Sequence, residues 1–107
     1  MKLIIAIVNH DDAHAVTQNL AKKGYSSTKL SSAGGFLLAG NATLLIGVTE
    51  EKVQEVIDIV REHSHSRKQL IPATTDMGIN YISSMPIEVN VGGATVFVVD
   101  VERFERL

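Results

Sequence analysis

Apolar residues crowd the start of the chain. Leu3-Ile4-Ile5-Ala6-Ile7-Val8 is nearly unbroken and predicts a strand over Lys2–Val8 that is covered on both faces. Asp11 and Asp12 follow, side chains that can accept from the free amides of a helix start. Ala13, Val16 and Leu20 then recur at helical spacing, with His10 expected just ahead of the helix. Lys22, Lys23 and Gly24 mark its end, because cations suit the negative pole and Gly suits the residue after the cap. Tyr25–Leu30 reads as a second strand and Ala42–Val48 as a third, central one. Thr49 with Glu50 and Glu51 opens a second helix, along which Val53, Val56, Ile57 and Val60 form one apolar stripe.

The later chain is looser. Lys68–Ile71 predicts a short strand, and the segment from Pro72 to Pro86 is a polar, small-residue loop of a length that usually carries function. Ile87, Val89 and Val91 alternate with Glu88 and Asn90, Gly92-Gly93 makes a turn, and Thr95–Val99 is a last buried strand. Val101–Leu107 is expected to form a short terminal helix. The order β-α-β-β-α-β with a late hairpin predicts an α+β fold, a ferredoxin-like sandwich in one domain. Two helices would cover one sheet face. The strands are too apolar for the other face to stand in water, so contact between subunits is expected there.

A chain of 107 residues with 45% hydrophobic residues and no cysteine carries neither a disulfide framework nor a thiolate site. The net charge of −2 and pI near 6.0 disfavour a nucleic-acid surface. Met1-Lys2-Leu3 runs straight into a strand, unlike a signal peptide, and no apolar run approaches the roughly 18 residues of a membrane span. A cytoplasmic protein is the expectation. The mean hydropathy of +0.14 is slightly high for so small a chain and again favours a buried subunit interface.

Candidate chemistry concentrates in Thr28–Asn41. Glycines at 34, 35 and 40 let backbone amides approach a ligand, while Phe36, Leu37 and Leu38 form an apolar triplet where loops are normally polar. A planar ligand, a second subunit or a tuck into the chain's own core would each supply the cover. Gly34-Gly35 lacks the Gly-Lys-Ser/Thr ending of a phosphate-binding P-loop. From Leu30 through Glu51 there is no Lys or Arg, so a triphosphate finds no local clamp, whereas a phosphodiester needs less. Lys29, Arg67 and Lys68 are the cations that could fold back. His10 and His14 have the i, i+4 spacing of helical zinc ligands but fall short of the ligand count such a site needs. His63 and His65 suit a helix C-terminus. No nucleophile elbow and no paired carboxylates in an apolar setting are present, so no catalytic set is visible and no enzyme is expected.

These segments together carry a resemblance. Residues 1–8, Thr28-Lys29-Leu30, Gly34-Gly35-Phe36-Leu37, Ala39-Gly40-Asn41, Gly47-Val48 and Val91-Gly92-Gly93-Ala94-Thr95-Val96-Phe97-Val98 resemble the PII-like cyclic di-AMP receptor family of Gram-positive bacteria. The resemblance covers almost the whole chain and implies one PII-like domain over residues 1–107. It implies a homotrimer with three equivalent ligand sites at the subunit clefts, no cofactor or metal, and an unidentified downstream protein. Thr28 and Asn41 would hydrogen-bond the second messenger cyclic di-AMP, and Phe36 with Leu37 would wall an adenine. Gly35, Gly47, Gly92 and Gly93 would allow close backbone approach. Two positions depart: the family commonly has Asn where this chain has Gly24, and a ligand-facing Arg where it has Ser26. A sensor of another adenine nucleotide and a ligand-free trimeric scaffold are the alternatives.

Overall fold

The computed structural model describes residues 1–30, 40–71 and 87–107. Its elements are β1 (Lys2–Asn9), α1 (His10–Lys22), β2 (Thr28–Leu30), β3 (Asn41–Val48), a single 3₁₀ turn (Glu50–Lys52), α2 (Val53–Ser64), β4 (Arg67–Ile71), β5 (Ile87–Val91) and β6 (Ala94–Asp100). Four strands form an antiparallel sheet in the order β2-β3-β1-β6, and β4 pairs with β5 in a separate two-stranded ribbon. This is the α+β, ferredoxin-like arrangement that the sequence pattern predicts, with the late hairpin added. Among the described residues no helix is long and apolar enough to cross a membrane.

The apolar run of β1 is split by the pleat. Ile4, Ala6 and Val8 are buried against the helices, and Leu3, Ile5 and Ile7 point the other way and stay partly exposed. Ala42, Leu44, Ile46 and Val48 of β3 join the first set, and Val16, Leu20, Val56 and Val60 come down on them from α1 and α2. Ile59, outside the predicted stripe, is buried as well, whereas Ile57 is only partly covered.

The helix starts one step earlier than the acidic pair suggests. Asn9 is the cap, its Oδ1 accepting from Asp11 N at 2.9 Å, and His10 is already helical. A strand-ending Asn reads as strand in sequence, yet its short amide caps as well as an Asp does. The far end closes as expected. Gly24 N donates to Ala21 O at 2.9 Å and Tyr25 N to Leu20 O at 2.9 Å, a Schellman motif with Gly24 at φ +88°. Its closing glycine, the following extended residues and the short β2 leave only Thr28–Leu30 of the predicted second strand in the ladder.

Three other expectations are corrected. β6 is an edge strand, not a buried one: Phe97 is 52% exposed, and Val98 and Val99 are also exposed. Residues 101–107 form no helix. Thr49 precedes the 3₁₀ turn, but its side chain makes no capping bond.

Tyr25, partly buried against the core, donates its phenol to Glu55 of α2 and so ties the end of α1 to α2. That hydrogen bond, then burial, hold the phenol pKa above its ordinary 10.0. A raised phenol pKa stabilises the fold fully below the unfolded value, and the contribution disappears as pH rises through the folded one. With Tyr81→Phe, Tyr25 is the sole tyrosine. Its absorbance titration is then expected to centre above 10.0, and Glu55→Gln to move the midpoint down; an unmoved midpoint contradicts the assignment.

Candidate functional site

Strand register sorts the predicted residues onto faces. Thr28 stands opposite Leu45 on β3, and Leu30 opposite Thr43. Leu45 in turn faces Ile5, and Ile5 faces Phe97 of β6. All of these lie on the sheet face away from the helices, together with Asn41, Gly47, Leu3, Ile7 and Val99 by alternation. Phe97, Val99 at 42% and Leu30 at 42% exposure make it an open, largely apolar face. Thr43 lies within it with a buried hydroxyl that has no hydrogen-bond partner among the described residues.

Ser26 is exposed just before β2. It lies two residues before Thr28, which is paired opposite Leu45, and outside the β2–β3 ladder. Ser26 also lines a cavity of about 470 Å³ with Thr17, Ala21, Gly24, Tyr25 and Ser27. Asn41 begins β3, and the six residue steps from it to Gly47 span roughly 20 Å of strand. Asn41 pairs with Asn9 at the end of β1 where Ala94, just after Gly92-Gly93, faces Val8. The described candidates thus spread along the sheet, with Gly47 and Thr28 toward one end of β3 and Asn41 with Gly92-Gly93 toward the other. Gly35, Phe36 and Leu37 lie outside the described residues, as does the segment 72–86.

The glycines differ in what they leave room for. A Cβ on Gly47 would meet only Met1 Sδ at 3.8 Å, an ordinary contact, and its φ is not positive. Nothing among the described residues demands glycine there. Gly47→Ala is therefore expected to keep or raise stability, since alanine restricts the unfolded chain more. Weakened ligand binding with an unchanged melting temperature would mark Gly47 as a point of close approach from outside, and unchanged binding would remove it from the site. Gly92, at φ +83°, is different: a Cβ would run into Arg67 Nη1 and come within 2.7 Å of His65 O. Gly93 N donates to Ser64 O, bolting the turn to the end of α2. Both glycines thus have tasks inside the chain that their Gly-Gly spelling does not reveal.

The three cations that could fold back are engaged elsewhere. Arg67 forms a two-pronged bridge to Asp12, at 2.9 and 3.2 Å, and Lys68 lies 3.7 Å from Glu88 across the ribbon. Lys29 is on the helix side of β2, opposite Leu44, where it lines a 260 Å³ cavity with His10, Ala13, His14 and Thr17. A cation among those imidazoles opposes a second cation, so the i, i+4 histidines are poorly placed as metal ligands. Among the described residues no three metal-type side chains gather. A third cavity of about 420 Å³ lies between α2 and β6, with Arg61, His65 and Gly93 in its wall.

Gly24 explains one departure from the resemblance. The position needs a left-handed backbone with open space around it, and Asn is the residue that best replaces glycine there. An Asn would add a polar side chain without changing the turn.

Comparisons with known proteins agree with this geometry. A sequence family described as cyclic-di-AMP receptor matches residues 1–107. A crystal structure titled as a functionally unknown protein from Pediococcus pentosaceus ATCC 25745 superposes with a TM-score of 0.74 at 42% identity, covering 99% of this chain and 96% of that one.

Proposed function

The chain belongs to the cyclic-di-AMP receptor family, and on that premise we propose that it is a cytoplasmic signalling receptor. It binds cyclic di-AMP at the clefts of a homotrimer of single PII-like domains and passes the signal to a protein partner. The family is one of receptors, not of enzymes. Thr28 and Asn41 hydrogen-bond the ligand through an adenine edge and a phosphate, Phe36 and Leu37 wall an adenine, and Gly35, Gly47, Gly92 and Gly93 admit close approach. Ligand binding orders the loop after the second strand and the Pro72–Pro86 loop and so changes the surface a partner meets. It does this only by as much as its affinity differs between ordered and unordered forms.

The observation that carries the reading is the open face itself. Thr28, Asn41 and Gly47 are exposed on a sheet face whose apolar side chains need a partner. An apolar face that needs cover, with these residues on it, supports a site at a boundary between copies.

A thermal-shift panel tests the ligand. Cyclic di-AMP is expected to raise the melting temperature, since a ligand at 100 times its Kd stabilises by about 2.7 kcal/mol. ATP is expected to do less, because Arg67 and Lys68 are already paired. A shift with an adenine mononucleotide alone would favour a different nucleotide sensor. No shift with any nucleotide in an intact trimer would favour a protein-binding scaffold.

A further inference from the structure

The β4–β5 ribbon shares no ladder with the main sheet. A two-stranded ribbon is marginal alone, so the fixings at its base decide where it points. One fixing is the Gly93–Ser64 bond to α2. The other is Arg67, the first residue of β4, whose Nη2 lies 2.9 Å from Asp12 Oδ1 and whose Nη1 lies 3.2 Å from Asp12 Oδ2. Arg67 Nη1 also donates to His65 O at 3.2 Å, so the guanidinium is held from both sides. Asp12 is only 8% exposed, and among the described residues Arg67 is its only side-chain hydrogen-bond partner. Gly92 supplies the clearance, because any side chain there would strike the guanidinium.

Asp12 sits in the first turn of α1, and that same turn holds a second segment. His10 N donates to Gly40 O at 2.5 Å, and Gly40 is where the chain re-emerges from residues 31–39 into β3. Three consecutive residues, 10 to 12, thus hold the root of one functional segment and the base of the ribbon that carries the other, residues 72–86.

We propose that Arg67 is a positioning residue: with Asp12 and the Gly92 clearance it forms a strut that couples the ribbon to Gly40 through the first turn of α1. Its use in signalling rests on the receptor reading above, in which both segments respond to one ligand. The strut itself exists without ligand.

Hydrogen exchange on the full chain tests it, first without ligand. Arg67→Gln and Asp12→Asn are each expected to speed exchange of the β4 and β5 amides about tenfold or more, the worth of a hydrogen bond to a charged group. Each is also expected to speed exchange of the His10 amide, which donates to Gly40. Arg67→Gln combined with Asp12→Asn should add little to the worse single variant, since both break one link. Lys68→Gln, which cuts an ion pair within the ribbon, should leave the His10 amide unchanged. Gly92→Ala should behave as Arg67→Gln does; if it fails to fold, the other variants decide. Ribbon loosening in Arg67→Gln with His10 protection intact would overturn the coupling and leave a local anchor. The second arm adds cyclic di-AMP. Ligand protection of the ribbon in the wild type should be lost in Arg67→Gln, and its persistence would also overturn the proposal. If the wild type binds no cyclic di-AMP, the receptor reading fails and the ligand-free arm still judges the strut.

Discussion

Ser26→Arg is expected to bind cyclic di-AMP about 10- to 150-fold more tightly than the wild type. A hydrogen bond to a charged group contributes roughly 1.5–3 kcal/mol, and about 1.4 kcal/mol is tenfold in affinity. The position suits the change. Ser26 is exposed and borders an open cavity, so a long side chain meets no core. Of the cations considered for the site, Arg67 spans to Asp12, Lys68 lies beside Glu88 and Lys29 is on the opposite side of β2. Calorimetric titration of both proteins measures the ratio. Equal affinities would show that the missing cation is not what limits binding. The melting temperature should barely move, because Ser26 makes no hydrogen bond among the described side-chain contacts.

If the proposed homotrimer packs through the open sheet face, Phe97→Glu is expected to leave monomers at concentrations where the wild type assembles. Phe97 is 52% exposed within the chain and stands opposite Ile5 in the middle of the apolar face. A carboxylate buried unpaired in an interface costs several kcal/mol at each copy, which is enough to dissociate a small oligomer. Within one chain the same carboxylate remains in water, so the fold should survive. Light scattering reads the mass and circular dichroism the fold. A trimer that persists in Phe97→Glu would move the interface off this face.

Much of the fold is legible in sequence because its elements follow their own periods. The helical stripe of α2 and the alternation in β5 needed no tertiary information. Gly24 marked the end of α1 for a reason local to the backbone. The errors share a different cause. β6 was read as buried because Val96-Phe97-Val98-Val99 is apolar, but apolarity reports that a residue needs cover and not which chain provides it. Asn9 was hidden as a cap by the two aspartates behind it, and Asp12 proved to serve Arg67 instead.

The structure puts Thr28, Asn41 and Gly47 on one sheet face, a placement that their spacing does not show, nor does it show that Gly47 and Asn41 stand about 20 Å apart. Arg67 and Asp12 are 55 residues apart in sequence, so their bridge has no local signature. Gly92 reads in sequence as a turn glycine and, by the resemblance, as a point of close backbone approach. The structure adds one reason for glycine there, the guanidinium beneath it.

Titration of cyclic di-AMP into the wild-type protein by calorimetry tests the central claim most directly. The account predicts saturable heat with one ligand per chain, consistent with three equivalent sites in a trimer. No heat at ligand concentrations on the order of a millimolar, where even a binding free energy of about −4.1 kcal/mol would register, would contradict it.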